Sequence, residues 1–203
     1  MMKLLSHPFS PYGRKVKMTL AMKGLKDKVE VVTVDTNIPA NPEITIANPL
    51  AKIPALVLDS GECFYDSAVI CEYLDSLTPS PQLFPKAGPE RWQTLRLSSL
   101  ADGILDAALL LVYEKRFRPE EKWHEPWMDR QRSKIDRSLA VLEPAPPAWG
   151  ANPDYAHVTL AAALGYLDIR HEGKWRAGHP NLVAWLDRFA NLVPSFEETR
   201  PKP

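Results

Sequence analysis

The chain has 203 residues, of which 45% are apolar and 25% charged, the balance of a folded water-soluble protein with one large domain or two small ones. Lys and Arg together equal Asp and Glu at 25 each, so the strongly basic footprint of a nucleic-acid binder is not expected. Cys63 and Cys71 are too few for a disulfide framework, and no apolar run approaches signal-peptide or membrane length, which predicts a soluble cytoplasmic protein with no membrane partner.

The first third mixes strand and helix signals. Lys3 to Ser6 reads as a strand. Pro11 to Leu25 has helical spacing, with a proline at its entry and Gly24 near its end. Val29 to Val34 is β-branched and alternating, the mark of a strand. Thr36 to Ala47 is rich in Asn and Pro and predicts a short, irregular helix. Pro54 to Leu58 is a second short strand, and the Asp59-Ser60-Gly61 turn returns Glu62 to Tyr65 as its antiparallel partner. Val69, Ile70, Tyr73, Leu74 and Leu77 then mark one helical face. The order is β-α-β-(α)-β-β-α.

Prolines between Thr78 and Pro89 place a linker at residues 79–88, separating a domain at 1–78 from one at 89–203. Beyond the linker the chain reads as helical. Trp92 to Val112 sustains a long helical face, and Met128, Ile135, Leu139 and Leu142 mark another. Glu143 to Pro153 reads as a loop. Val158 to Leu167 is apolar nearly all round, as a helix at the centre of a bundle would be. A last helix follows Pro180.

Several chemistries lack their motifs. No G-x-G-x-x-G or G-x-x-x-x-G-K loop is present, no H-x-x-x-H or cysteine pair has metal-ligand spacing, and no G-x-S-x-G elbow occurs. Three segments carry more information. Ser10-Pro11 is a favoured helix start, and a hydroxyl at a helix N-terminus is also an anion site able to hold a thiolate. A proline opening an apolar strand, as in Lys52-Ile53-Pro54-Ala55-Leu56, is unusual, and a cis Ile53–Pro54 bond is one explanation. Asp66-Ser67 precede a helical face, as a cap or as a second anion site.

Together these segments resemble the glutathione S-transferase family, and the resemblance covers the whole chain. Ser10-Pro11-Tyr12-Gly13-Arg14-Lys15 is similar to the start of a bacterial group of small transferases in that family. The resemblance implies a thioredoxin-like N-terminal domain followed by an all-helical bundle, including Leu164-Gly165-Tyr166-Leu167-Asp168. It implies that Ser10 hydrogen-bonds the sulfur of glutathione, the co-substrate. Ile53 would pair its backbone with the cysteinyl part, with Pro54 cis. Asp66 and Ser67 would receive the γ-glutamyl end, and Lys52 would face the glycyl carboxylate or remain a solvated lysine. Tyr12, Asp106 and Tyr113 would border the electrophile. A homodimer, a role in detoxification and no metal are further implications.

Ser-Pro-Tyr-Gly looks like a redox Cys-Pro-Tyr-Cys with both sulfurs gone, which counts against dithiol chemistry. Glutathione-dependent reduction of peroxides or disulfides, and a non-catalytic binding module, are the alternatives to conjugation. The family's Ser/Thr-x-x-Asp cap is replaced by Asp154-Tyr155-Ala156-His157, where His157 serves as an acceptor only when neutral. Arg14, Lys15 and Lys17 read as a solvated basic face.

A free thiol ionises near pH 8.5, and pulling it down by about two pH units takes roughly 2.7 kcal/mol of preference for the anion. A hydroxyl hydrogen bond to a charged sulfur contributes about 1.5–3 kcal/mol and a helix N-terminus about 0.3–1, so no general base is required.

Overall fold

The computed structural model describes residues 1–38 and 41–201. The chain divides into two compact units, Met1–Pro85 with Val193–Pro203, and Lys86–Leu192.

The first unit holds a four-stranded mixed sheet in the order β2-β1-β3-β4, formed by β1 (Met2–Ser6), β2 (Val29–Thr33), β3 (Ala55–Val57) and β4 (Cys63–Phe64). β1 and β2 are parallel and are joined by the helix α1 (Pro11–Met22), as a parallel pair requires a crossover. β3 runs antiparallel to both β1 and β4. The short helix α2 (Pro42–Thr45) lies in the Asn- and Pro-rich stretch, and α3 (Ser67–Ser76) follows β4. This is the mixed sheet expected of a thioredoxin-like domain.

Apolar residues recur on α1 and α3 so that Val16, Leu20, Ile70 and Leu74 are buried where the two helices pack together. Leu5, Val34, Ile44, Ala47 and Ala55 form a separate cluster, against which Ile53 packs. α1 stops at Met22, short of the predicted Leu25, because Gly24 adopts a left-handed φ of 65°. Its N–H and that of Leu25 close back on Ala21 and Leu20 carbonyls.

The helix α1 also corrects the expected solvated face. Arg14 and Lys15 are 3% and 1% exposed. Arg14 donates Nη2–H to the Phe196 carbonyl (2.5 Å), bonds the Thr199 hydroxyl (3.4 Å) and lies over the Phe196 ring. The Lys15 ammonium faces the Tyr12 ring at 5.5 Å. The guanidinium holds the short helix α8 (Ser195–Glu198) in the first unit, so the described residues from Val193 on group there, whereas the sequence reading places them in the helical domain at 89–203.

Lys23, the C-cap of α1, has a fully buried side chain and uses all three of its donors. They bond Asp75 Oδ1 (2.8 Å) and the carbonyls of Thr78 (2.7 Å) and Pro81 (2.6 Å). Asp75 in turn accepts from the Leu83 and Phe84 N–H groups, both at 2.9 Å. One buried ion pair thus organises the proline-rich stretch in which the Ser80–Pro81 bond is cis.

The second unit contains α4 (Gly88–Phe117), α5 (Glu125–Leu142), α6 (Tyr155–Arg170) and α7 (Pro180–Leu192), with a 3-10 turn at Lys174–Gly178. α6 is buried at every position from Tyr155 to Leu167, as its all-round apolar sequence predicts. Its start is a complete capping box. Asp154 accepts from the Ala156 and His157 N–H groups (2.9 and 3.2 Å), while His157 Nδ1 lies 3.1 Å from the Asp154 N–H. The same Nδ1 also lies 2.5 Å from Asp154 Oδ1, so its protonation decides whether it accepts the Asp154 N–H or donates to the carboxylate. The imidazole stacks within a cluster of Trp149 and Trp185, whose Nε1–H reaches the Pro147 carbonyl. Among the described residues, no helix is long and apolar enough to cross a membrane.

Candidate functional site

The sheet register brings three of the segments to one end of the first unit. β1 ends at Ser6, and Leu5 pairs with Ala55, so Ile53 and Pro54 enter β3 beside that end. β4 runs parallel to β1 and ends at Phe64, which delivers Asp66 and Ser67 to the same edge. Ser10, the Ile53–Pro54 pair and the α3 N-terminus are therefore neighbours by topology, although more than fifty residues separate Ser10 from Ser67 in sequence.

Ser10 is half-buried and is the N-cap of α1, with extended φ and ψ of −76° and 116°. The turn before it is held by the Ser10 N–H on the His7 carbonyl (2.9 Å) and the Phe9 N–H on His7 Nδ1 (3.2 Å). Ser10 Oγ accepts the Gly13 N–H at 3.1 Å. An oxygen that accepts from the helix keeps its own O–H to donate, and the bond it accepts polarises that O–H. The dipole of α1, a helix of 12 residues, adds to the pull on a negative charge placed there.

The Ile53–Pro54 bond is cis, as the strand-opening proline suggested. Ile53 lies before β3, and its N–H and C=O make no backbone hydrogen bond among the described residues. Lys52 is exposed. The loop ahead of it is organised by Asn48, which is 2% exposed. Asn48 Oδ1 accepts the Leu50 N–H (3.0 Å), and Nδ2 donates to the Lys52 carbonyl (2.8 Å). Sequence reasoning missed Asn48, although Asn-Pro is a turn signal.

Asp66 caps α3 by accepting the Ala68 N–H at 2.9 Å, and it is exposed while Ser67 is buried. The Tyr65–Asp66 bond is cis without proline. Tyr12 is half-buried on α1. Asp106 and Tyr113 belong to the second unit, where both are exposed on α4, two turns apart on one face. The Tyr113 ring meets Phe117 edge-on at 5.1 Å. Burial, and then the Arg14 charge, hold the Lys17 ammonium below its ordinary pKa.

Comparison with known proteins converges on one family. Residues 9–77 match the model for the glutathione S-transferase N-terminal domain, and residues 125–188 match that for the C-terminal domain. The chain is 35% identical to an uncharacterised GST-like protein of Escherichia coli, YibF, over 98% of each chain. A glutathione transferase family member from Pseudomonas fluorescens Pf-5, solved with bound glutathione, superimposes with a TM-score of 0.94 at 42% identity over the full length of both chains. A glutathione S-transferase from Methylobacillus flagellatus, also with glutathione bound, gives 0.91 at 36% identity, again over both full chains.

Proposed function

Because the chain belongs to the glutathione S-transferase family, we propose that it binds glutathione at the assembled edge of the first unit and transfers its sulfur to an electrophilic carbon. The observation that carries this reading is the Ser10 hydroxyl. Its oxygen is engaged by the Gly13 N–H, and its proton remains to be given to a thiolate. The glutathione thiol loses its proton to solvent, the thiolate attacks carbon, and the leaving group departs with the bonding electron pair.

Each further role rests on position. The Ile53 backbone offers an N–H and a C=O for strand-like pairing with the cysteinyl unit. The α3 N-terminus with Ser67 suits the γ-glutamyl carboxylate, and Asp66 suits its ammonium. Exposed Lys52 suits the glycyl carboxylate. Tyr12, Asp106 and Tyr113 are the proposed contacts to the electrophile. A cytoplasmic homodimer belongs to the same reading.

The test is a thiol titration of bound glutathione, paired with conjugation of a generic aryl halide. The bound thiol is expected to ionise well below a free thiol. Ser10→Ala is expected to lower turnover by about ten- to hundredfold while leaving glutathione affinity nearly intact, the loss of one charge-assisted hydrogen bond. An unchanged rate removes Ser10 from the mechanism. Hydroperoxide turnover without conjugation transfers the assignment to a peroxidase, and absence of glutathione binding to a non-catalytic module.

A further inference from the structure

Two contacts set α4 and α6 side by side and parallel. The Thr94 hydroxyl donates to Asp154 Oδ2 (2.5 Å) near their starts, and His171 Nε2–H donates to the Ala108 carbonyl (3.1 Å) where α6 stops. Toward the end of α4, Leu110, Tyr113 and Phe117 recur on one face, and all three are more than a third exposed. Three large apolar side chains left in water in succession form a wall that an apolar ligand would cover.

Tyr166 of α6 belongs to the same region. It is 4% exposed, and its ring meets His171 edge-on at 6.4 Å, which turns it toward the C-terminal end of α6. A buried tyrosine usually gives its O–H to a protein acceptor. Here the hydroxyl makes no hydrogen bond with a described residue. Nor is it sealed in. Among the described residues, the enclosed side-chain polar atoms without a partner belong to Ser6, Thr78 and Ser195. The ring is covered while the oxygen opens to the surface.

The charges around this phenol are cationic. Burial pushes its pKa up to about 12, against the pull of Arg170 and Arg116, and the Tyr113 phenol adds to the rise. The group is therefore a proton donor at neutral pH. Arg116, one turn on from Tyr113, lies over the Phe117 ring at 5.3 Å and makes no ion pair with a described carboxylate. A quadrupole contact leaves its positive charge uncompensated.

We propose that Tyr166 and Arg116 select the electrophile, which carries a carboxylate received by the phenol O–H and the guanidinium while its apolar body covers Tyr113. This rests on the transferase reading above and names its substrate class. An apolar wall alone takes any ring. A donor hydroxyl beside a cation adds a requirement for an anion, because a neutral substituent leaves the guanidinium unmatched. The thiolate sulfur still bonds to carbon, the leaving group takes the bonding pair, and the carboxylate is unchanged.

The experiment uses the full chain with glutathione and two aryl chlorides, 4-chloro-3,5-dinitrobenzoate and its methyl ester. Each kcat/KM is divided by the uncatalysed rate constant, which removes the difference in ring reactivity. The protein is expected to accelerate the carboxylate at least about tenfold more than the ester, the effect of one charge-assisted hydrogen bond. Tyr166→Phe and Arg116→Gln should each lower that preference by at least about fivefold, mainly through KM. Tyr166→Phe should keep the urea midpoint, since its hydroxyl has no partner to lose. Lys115→Gln removes a neighbouring cation that lies 5.4 Å from the Trp123 ring, and it should leave the preference as it is. The assignment alone is overturned if both chlorides are accelerated alike, if Tyr166→Phe slows both in proportion, or if Lys115→Gln acts as Arg116→Gln does. Conjugation of neither chloride overturns it together with the transferase reading.

Discussion

A Cβ built on Gly13 would lie 2.0 Å from Ser6 Oγ and 3.3 Å from Ser6 Cβ. The first turn of α1 therefore rests directly on the end of β1, and the serine occupies the volume that any side chain at position 13 would need. Ser6 is 1% exposed, and its hydroxyl has no hydrogen-bond partner among the described residues.

Gly13→Ala is accordingly expected to destabilise the protein by about 1–3 kcal/mol, overpacking outweighing the helix propensity that alanine gains over glycine. Ser6→Ala alone is expected to be neutral or stabilising, because it removes an unsatisfied buried hydroxyl. In that background most of the Gly13→Ala cost should vanish. Urea unfolding of the four proteins in a double-mutant cycle measures the coupling, and additive effects would contradict the packing account. The same contact means that a second thiol at position 13 has no room while Ser6 is present.

Lys23→Met should cost about 3–5 kcal/mol, because it leaves Asp75 buried without its ammonium. The stretch between Thr78 and Phe84 should become susceptible to proteolysis before the rest of the chain. A variant with the stability and cleavage pattern of the parent would show that this ion pair is dispensable.

Asp154 gives a pH prediction. Burial opposes its charge, but hydrogen bonds from His157 and Thr94 prevail and hold the carboxyl below the ordinary aspartate range. A folded-state pKa below the unfolded one stabilises the protein above the unfolded value, near 3.9, and that contribution is lost as pH falls through the folded value. Asp154→Ala should therefore lose about 1 kcal/mol at neutral pH as a missing cap, and its stability should fall less steeply on acidification. Parallel acid limbs for the two proteins would refute the assignment.

Arg14→Ala should loosen the C-terminal segment first. The Phe196 carbonyl loses its donor and the Phe196 ring loses its cation, a cost of about 1–3 kcal/mol. Hydrogen exchange should show residues 193–200 opening well below global unfolding. Uniform protection in the variant would mean that other contacts hold α8.

Local signals were legible wherever local chemistry decided the structure. Ser10-Pro11 predicts a capped helix start, and the cap is made by the Ser10 oxygen. The all-round apolar stretch at Val158 to Leu167 predicts a buried helix, and α6 is buried. What escaped was set by partners distant in sequence. Arg14 looks like a surface cation because nothing near it announces the return of Phe196 and Thr199, more than 180 residues later. Lys23 gave no signal because its acceptors lie more than fifty residues on. His157 departs from the family pattern in residue type but still engages Asp154 through Nδ1, which residue identity alone does not reveal.

With Arg14 gripping Phe196 and Thr199, the first unit is stitched from both extremities of the polypeptide. Anyone recombining relatives should exchange Lys86–Leu192 as an internal cassette rather than everything downstream of the prolines. A chimera joined at the linker would import a foreign tail, which then has to satisfy the resident arginine of α1.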